Sequence, residues 1–125
     1  MTINKITNLA SFEPFTQISK ESLYKLNEDS KVYLYSLGLP LSTLQTIPDK
    51  ILLILEGQGR LIVSRNEKKV TLGKLNPGSF VGLASFLTAN PCEEVTASTE
   101  LKALGISDEM ILYLLQKLYL LSGSL

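Results

Sequence analysis

Apolar positions along this chain change their period twice, and the changes divide it into three parts. In residues 19–26 a serine suited to N-capping, Ser19, is followed by Glu21 in the first turn. Leu23 and Leu26 then share one face, joined by Ile18 just before the cap, so the spacing predicts a short amphipathic helix. Phe12 and Phe15, either side of Pro14, are expected to tuck the leader against that helix or the first strand. From Lys31 the period becomes two: Val32, Leu34 and Ser36 alternate with Tyr33, Tyr35 and Leu37 until Gly38 and Pro40 close the run. Residues 51–55 form a continuous apolar strand, and Glu56-Gly57-Gln58-Gly59 is a turn with two glycines. Residues 60–65 return, Asn66-Glu67-Lys68-Lys69 turns again, and 70–75 make another strand. Residues 95–99 and 101–106 read as two more strands, with a charged break at Glu100 and Lys102. The helical period then resumes. Ser107 caps a last helix with Asp108 and Glu109 in its first turn, where carboxylates favour the helix dipole, and the pattern stops near Ser122-Gly123.

The plan is therefore mainly β with flanking helices. About eight short strands separated by glycine-containing turns predict a small antiparallel barrel or jelly roll with the helices packed outside. At 125 residues the chain is one domain: a helical leader over 1–30, a β-barrel over 31–106 and a C-terminal helix over 107–125.

One segment fits neither period. In Asn76-Pro77-Gly78-Ser79-Phe80-Val81-Gly82, the Pro-Gly pair makes a tight turn, and Gly82 lets the backbone approach whatever lies in front of it. A helix of one or two turns is expected to start at Leu83, with its free N–H groups pointing outward. This is the backbone of a pocket for a small anion. The charges are missing, because no Arg or Lys lies between Lys74 and Lys102, while Glu93 and Glu94 sit where a phosphate needs a cation. Adjacent residues of an extended chain point to opposite sides, so these two glutamates are not expected to share a substrate as an acid/base pair. Glu56, near Gly57 and Arg60, is expected to form a cross-hairpin ion pair worth little.

Composition narrows the chemistry further. Twelve basic and twelve acidic residues cancel, which gives no pointer to nucleic acid; the cluster Arg65, Lys68 and Lys69 reads as a solvated hairpin tip. There is no histidine, which removes the commonest general base and the commonest metal ligand. The single cysteine, Cys92, has neither a partner for a disulfide nor a basic neighbour to activate it, so neither a metal site nor a cofactor is expected. The N-terminus does not have the build of a signal peptide, and the apolar C-terminal run is broken by Gln116-Lys117, short of the ~20 residues that span a bilayer. A soluble, cytoplasmic domain without membrane insertion is the expectation.

Three blocks together carry a resemblance: Leu52-Leu53-Ile54-Leu55-Glu56-Gly57-Gln58-Gly59-Arg60-Leu61, then Leu75-Asn76-Pro77-Gly78-Ser79-Phe80-Val81-Gly82, then Val95-Thr96-Ala97 with Leu104-Gly105-Ile106-Ser107. In this the sequence resembles the cyclic-nucleotide-binding domain family, a double-stranded β-helix flanked by helices. The resemblance implies a phosphate-binding cassette at Gly82, Leu83, Ala84, Ser85, Pro91, Cys92 and Glu93. In ligand-binding members the residue after the cassette glycine is a glutamate that holds the ribose 2′-hydroxyl, and an arginine about nine residues later pairs with the cyclic phosphate. Here the first position is Leu83, and the second is Cys92 counted from Gly82 or Pro91 counted back from Ala97. Losing such a charge-assisted bidentate contact costs about 10²–10⁴-fold in affinity.

A narrower likeness runs through residues 12–19 (Phe12-Glu13-Pro14-Phe15 onward), Leu37-Gly38-Leu39-Pro40-Leu41, Gly57-Gln58-Gly59-Arg60-Leu61 and residues 90–100 (Asn90-Pro91-Cys92-Glu93-Glu94 onward). These stretches are similar to the N-terminal domain of bacterial ATP-binding-cassette exporters that also carry a cysteine-peptidase domain, known mainly from cyanobacteria. The likeness implies a fragment of a larger protein at the cytoplasmic face of the inner membrane. Its partners would be the exporter's other domains or the exported protein. The expected function is non-catalytic regulation or docking. The first alternative is a cyclic-nucleotide or other small-ligand sensor with altered pocket chemistry; a cupin-type metalloenzyme would have to build its site without histidine. On the C-terminal helix, Ile111, Leu114, Leu115, Leu118 and Leu121 are expected to form the core stripe, and the surplus Leu112, Tyr113, Tyr119 and Leu120 to offer a second surface, such as a homodimer contact.

Overall fold

The computed structural model describes residues 19–122. In chain order the elements are α1 (Lys20–Asp29), β1 (Lys31–Tyr35), β2 (Pro40–Ser42), β3 (Lys50–Glu56), β4 (Gly59–Arg65) and β5 (Lys68–Leu75). They continue with β6 (Phe80–Val81), α2 (Leu83–Thr88), β7 (Glu94–Ala97), β8 (Leu101–Ser107) and α3 (Asp108–Ser122). The strands pair antiparallel throughout, in two four-stranded sheets of order β1-β8-β3-β6 and β2-β7-β4-β5. This is the jelly roll that the periodicity predicts.

The first sheet is covered on both faces, which is why β3 reads as an unbroken apolar run rather than an alternation. Leu52 and Ile54 point between the sheets and pack with Val81, Val95, Ala97, Leu101 and Ala103. Ile51 and Leu53 point the other way, into a cluster with Leu26, Leu104, Ile106, Met110, Ile111 and Leu114 under α1 and α3. Both helices have the caps their sequences announce: the Ser22 amide donates to Ser19 Oγ at 3.1 Å, and the Met110 amide to Ser107 Oγ at 3.2 Å. The Asn66–Glu67 hairpin tip is a two-residue turn with both φ positive, at 52° and 68°, which matches the strand twist.

Several expectations are corrected. Glu56 pairs with Lys102 at 3.3 Å, not with Arg60, because the β3–β8 register sets those two residues opposite each other. Arg60 instead donates to Thr71 Oγ1 at 3.3 Å. The buried stripe of α3 is Met110, Ile111 and Leu114, whereas Leu115 is 37% exposed, since it lies about 100° round the helix from Leu114. The proline expected to close the first strand opens β2 instead, and β2 is an edge strand, where a missing N–H costs no ladder bond. The first strand also ends earlier than expected, at Tyr35, and so does the seventh, at Ala97, where Ser98 turns its amide and hydroxyl onto the Gln58 carbonyl at 2.9 and 3.1 Å. The expectations for Phe12, Phe15, Ile18 and Gly123, and for the side chains of Leu118, Tyr119, Leu120 and Leu121, lie outside the described residues. No described helix is long and apolar enough to cross a membrane.

Candidate functional site

The cassette is an arc running from the turn after β5, through α2, to the start of β7. Ser79 closes its turn by donating to the Asn76 carbonyl at 3.0 Å. Paired backbone bonds then dock it on β3, from Gly78 to the Ile54 carbonyl at 2.8 Å and from Ile54 to the Ser79 carbonyl at 3.0 Å. Gly82 follows with φ of +93°, and a Cβ there would sit 3.0 Å from Pro48 Cγ, so both its backbone and its surroundings call for glycine. The six-residue helix α2 begins immediately after it, as the sequence predicts.

The structure brings all seven expected site residues into this arc, but turns them to other work. Leu83, at the glutamate position of the resemblance, packs with Phe80 and Phe86 against the buried cluster under the helices. Ala84 is exposed and has no polar group to offer. Ser85 is fully buried: its Oγ accepts from the Cys92 amide at 3.0 Å and lies 3.6 Å from Cys92 Sγ. The Ser85 amide donates to Glu93 Oε1 at 3.3 Å. Pro91 is half-buried and Cys92 exposed, and neither carries a positive charge. Glu94 faces away from Glu93, as the extended-chain argument requires, and pairs with Lys69 at 2.7 Å. Beneath them, Ser42 Oγ donates to the Glu93 carbonyl at 3.0 Å. That tie was invisible in the sequence, because nothing local signals that β2 lies beside β7.

A neutral ligand would need free hydroxyls near the arc, and two of those present are engaged within the chain. Ser85 serves Cys92, and Ser98 serves Gln58. Thr96 Oγ1 is buried with no hydrogen-bond partner among the described residues. Cavities lined by described residues open elsewhere, including one of about 400 Å³ between α1 and α3, by Lys25, Asp29, Glu109 and Tyr113. Another, of about 310 Å³, lies by Leu34, Tyr35, Glu56, Glu100 and Lys102. Burial pushes the Tyr35 phenol above its ordinary 10.0, against the opposing pull of Lys50. Among the described residues no group of three His, Cys, Asp or Glu side chains is placed to hold a metal ion.

Residues 41–118 match the cyclic nucleotide-binding domain family, and the chain belongs to that family. A comparison with curated protein sequences finds no match. Among solved structures, the regulatory domain of Toxoplasma gondii protein kinase A, with cAMP, aligns at a TM-score of 0.84 and 15% identity over 98% of this chain and 48% of that one. The regulatory subunit of a cAMP-independent protein kinase A from Trypanosoma brucei aligns at 0.75 and 14% identity, over 85% of this chain and 41% of that one. That structure is a variant with one glutamate and one valine changed to alanine and one threonine to arginine, bound to cAMP in its A site. The corresponding subunit from Trypanosoma cruzi, bound to guanosine, aligns at 0.77 and 16% identity, over 85% of this chain and 39% of that one. At these identities the likeness concerns the fold, and the chain spans half or less of each of these relatives' length.

Proposed function

We propose that this member of the cyclic nucleotide-binding domain family is a non-catalytic regulatory or docking domain whose cassette takes no cyclic nucleotide. The observation that carries the reading is the Glu93 carboxylate, which sits on the Ser85 amide in a segment with no Arg or Lys between Lys74 and Lys102. A cyclic phosphate would meet a carboxylate where it needs a cation, and like charges in contact cost several kcal/mol. Leu83 adds to this, because apolar packing replaces the acceptor for a ribose hydroxyl. Neither a phosphate-cradling Gly-x-x-x-x-Gly-Lys-Ser/Thr sequence nor a histidine to activate Cys92 is present, so nucleotide hydrolysis and peptide cleavage have no residues here.

In its parent protein the domain would serve a bacterial ATP-driven exporter at the cytoplasmic face of the membrane, a role that rests on the sequence resemblance. Its partners would be the exporter's other domains or the exported protein. Leu112, 56% exposed, and Leu115 on α3 offer an apolar surface for a neighbouring domain or a second copy of the chain.

A second reading, a small-ligand sensor with altered chemistry, is favoured by Thr96 Oγ1, which is buried without a partner among the described residues. A nucleoside without phosphate is the ligand class in question, as in the guanosine-bound relative from Trypanosoma cruzi. Isothermal titration with cAMP, cGMP and guanosine, each to about millimolar concentration, separates the readings. The regulatory-docking reading predicts no saturable heat from any of the three. Saturable binding of guanosine alone supports the sensor reading, and binding of either cyclic nucleotide overturns the first.

A further inference from the structure

We propose that Glu93 is an internal latch that closes the cassette by acting as the missing cap of α2. The inference deepens the nucleotide-free reading above and rests on it. Gly82 stands at the N-cap and has no side-chain acceptor, so the first amides of α2 begin without a local partner. The earliest backbone bond of the helix runs from Phe86 to the Gly82 carbonyl, at 3.0 Å. The Ser85 amide finds its acceptor eight residues further on, in Glu93 Oε1. A capping carboxylate has been recruited from the loop that leads into β7.

The direction of Glu93 is set by its neighbours. Val95 is buried between the sheets and Glu94 turns outward to Lys69, so the alternation of extended backbone turns Glu93 back toward α2. Two further bonds fix the loop: the Cys92 amide on buried Ser85 Oγ at 3.0 Å, and Ser42 Oγ on the Glu93 carbonyl at 3.0 Å. The carboxylate is thus positioned by α2, β2 and β5 together. An anion brought to the same amide would find the donor occupied and a like charge beside it. It follows that supplying the two charged positions of a ligand-binding cassette, Leu83→Glu and Cys92→Arg, is not enough. Glu93 would still cap α2 and would draw the new arginine into an ion pair.

The test has two arms, both on the whole chain. The first compares cAMP affinity of the double variant L83E/C92R with that of the triple variant L83E/C92R/E93A. The latch predicts that the triple variant binds at least about tenfold tighter. The second follows amide hydrogen exchange in the wild type and in E93A. Here the Ser85 amide should exchange roughly tenfold faster in E93A, while the Leu53 amide in the core, which reports the intact fold, stays unchanged. Equal affinity of the double and triple variants overturns the proposal, and so does unchanged exchange at Ser85. If neither variant binds, exchange at Ser85 decides alone. Binding of cAMP by the unmodified chain would instead defeat the nucleotide-free reading, whatever Ser85 does.

Discussion

The first sheet and the cassette arc are both made of short segments, yet different forces hold them. In the sheet, β3 and β8 bury Ile51, Leu52, Leu53, Ile54, Leu104 and Ile106 to 3% exposure or less, on two faces, against helices and against the second sheet. Any side chain of similar volume and polarity would serve there. In the arc, named polar atoms do the holding: Ser85 on Cys92, Glu93 on Ser85, Ser42 on Glu93 and Lys69 on Glu94. These groups cannot be exchanged without losing a particular bond. The difference separates what keeps the fold from what orders the cassette. The sheet carries the stability, and the arc stays ordered by turning its donors inward.

The comparison can be broken most forcefully in the sheet. Leu53→Ala or Leu104→Ala should cost about 2–5 kcal/mol in urea denaturation, whereas Leu87→Ala on α2, at a side chain 57% exposed, should fall within about 0.5 kcal/mol. Equal losses at the two places would erase the distinction. Next in size is Gly57→Ala. Its φ of +88° and the Glu100 carbonyl oxygen in the path of a Cβ predict a loss of about 2 kcal/mol, by the same assay. Within the arc, Ser85→Ala should cost about 1 kcal/mol, because it removes the acceptor of the Cys92 amide. The smallest effect concerns pH. Burial raises the Tyr35 phenol above 10.0, so the stability linked to its protonated form is complete below the unfolded value and is lost as pH climbs through the folded one. Tyr35→Phe should therefore flatten part of the decline in urea midpoint above about pH 10. A decline of unchanged slope would remove Tyr35 from the account.

What the sequence made legible follows the same division. Apolar period, caps and turn residues signalled the β3 run, the helix starts at Ser19 and Ser107, and the short helix after Gly82, because each is decided within a few residues. The cassette could be located for the same reason. Its inward bonding was not legible. The Ser42–Glu93 and Lys69–Glu94 contacts join positions 51 and 25 residues apart, and only the pairing of β2 and β4 with β7 brings them together. The misassigned partner of Glu56 has the same cause: sequence proximity favoured Arg60, and the β3–β8 register supplied Lys102. Helical spacing places Leu115 beside the core stripe but does not say how wide the covered arc is, and the arc stops short of it.

The most direct test of the central claim is a thermal-shift titration of the unmodified chain with cAMP and cGMP to about millimolar concentration. Ligand at 100 times its dissociation constant stabilises by about 2.7 kcal/mol, which is several degrees for a domain of this size. The account predicts no change in Tm with either nucleotide. A saturable rise of several degrees would contradict it, and would mean that the nucleotide is held by contacts other than at positions 83 and 92.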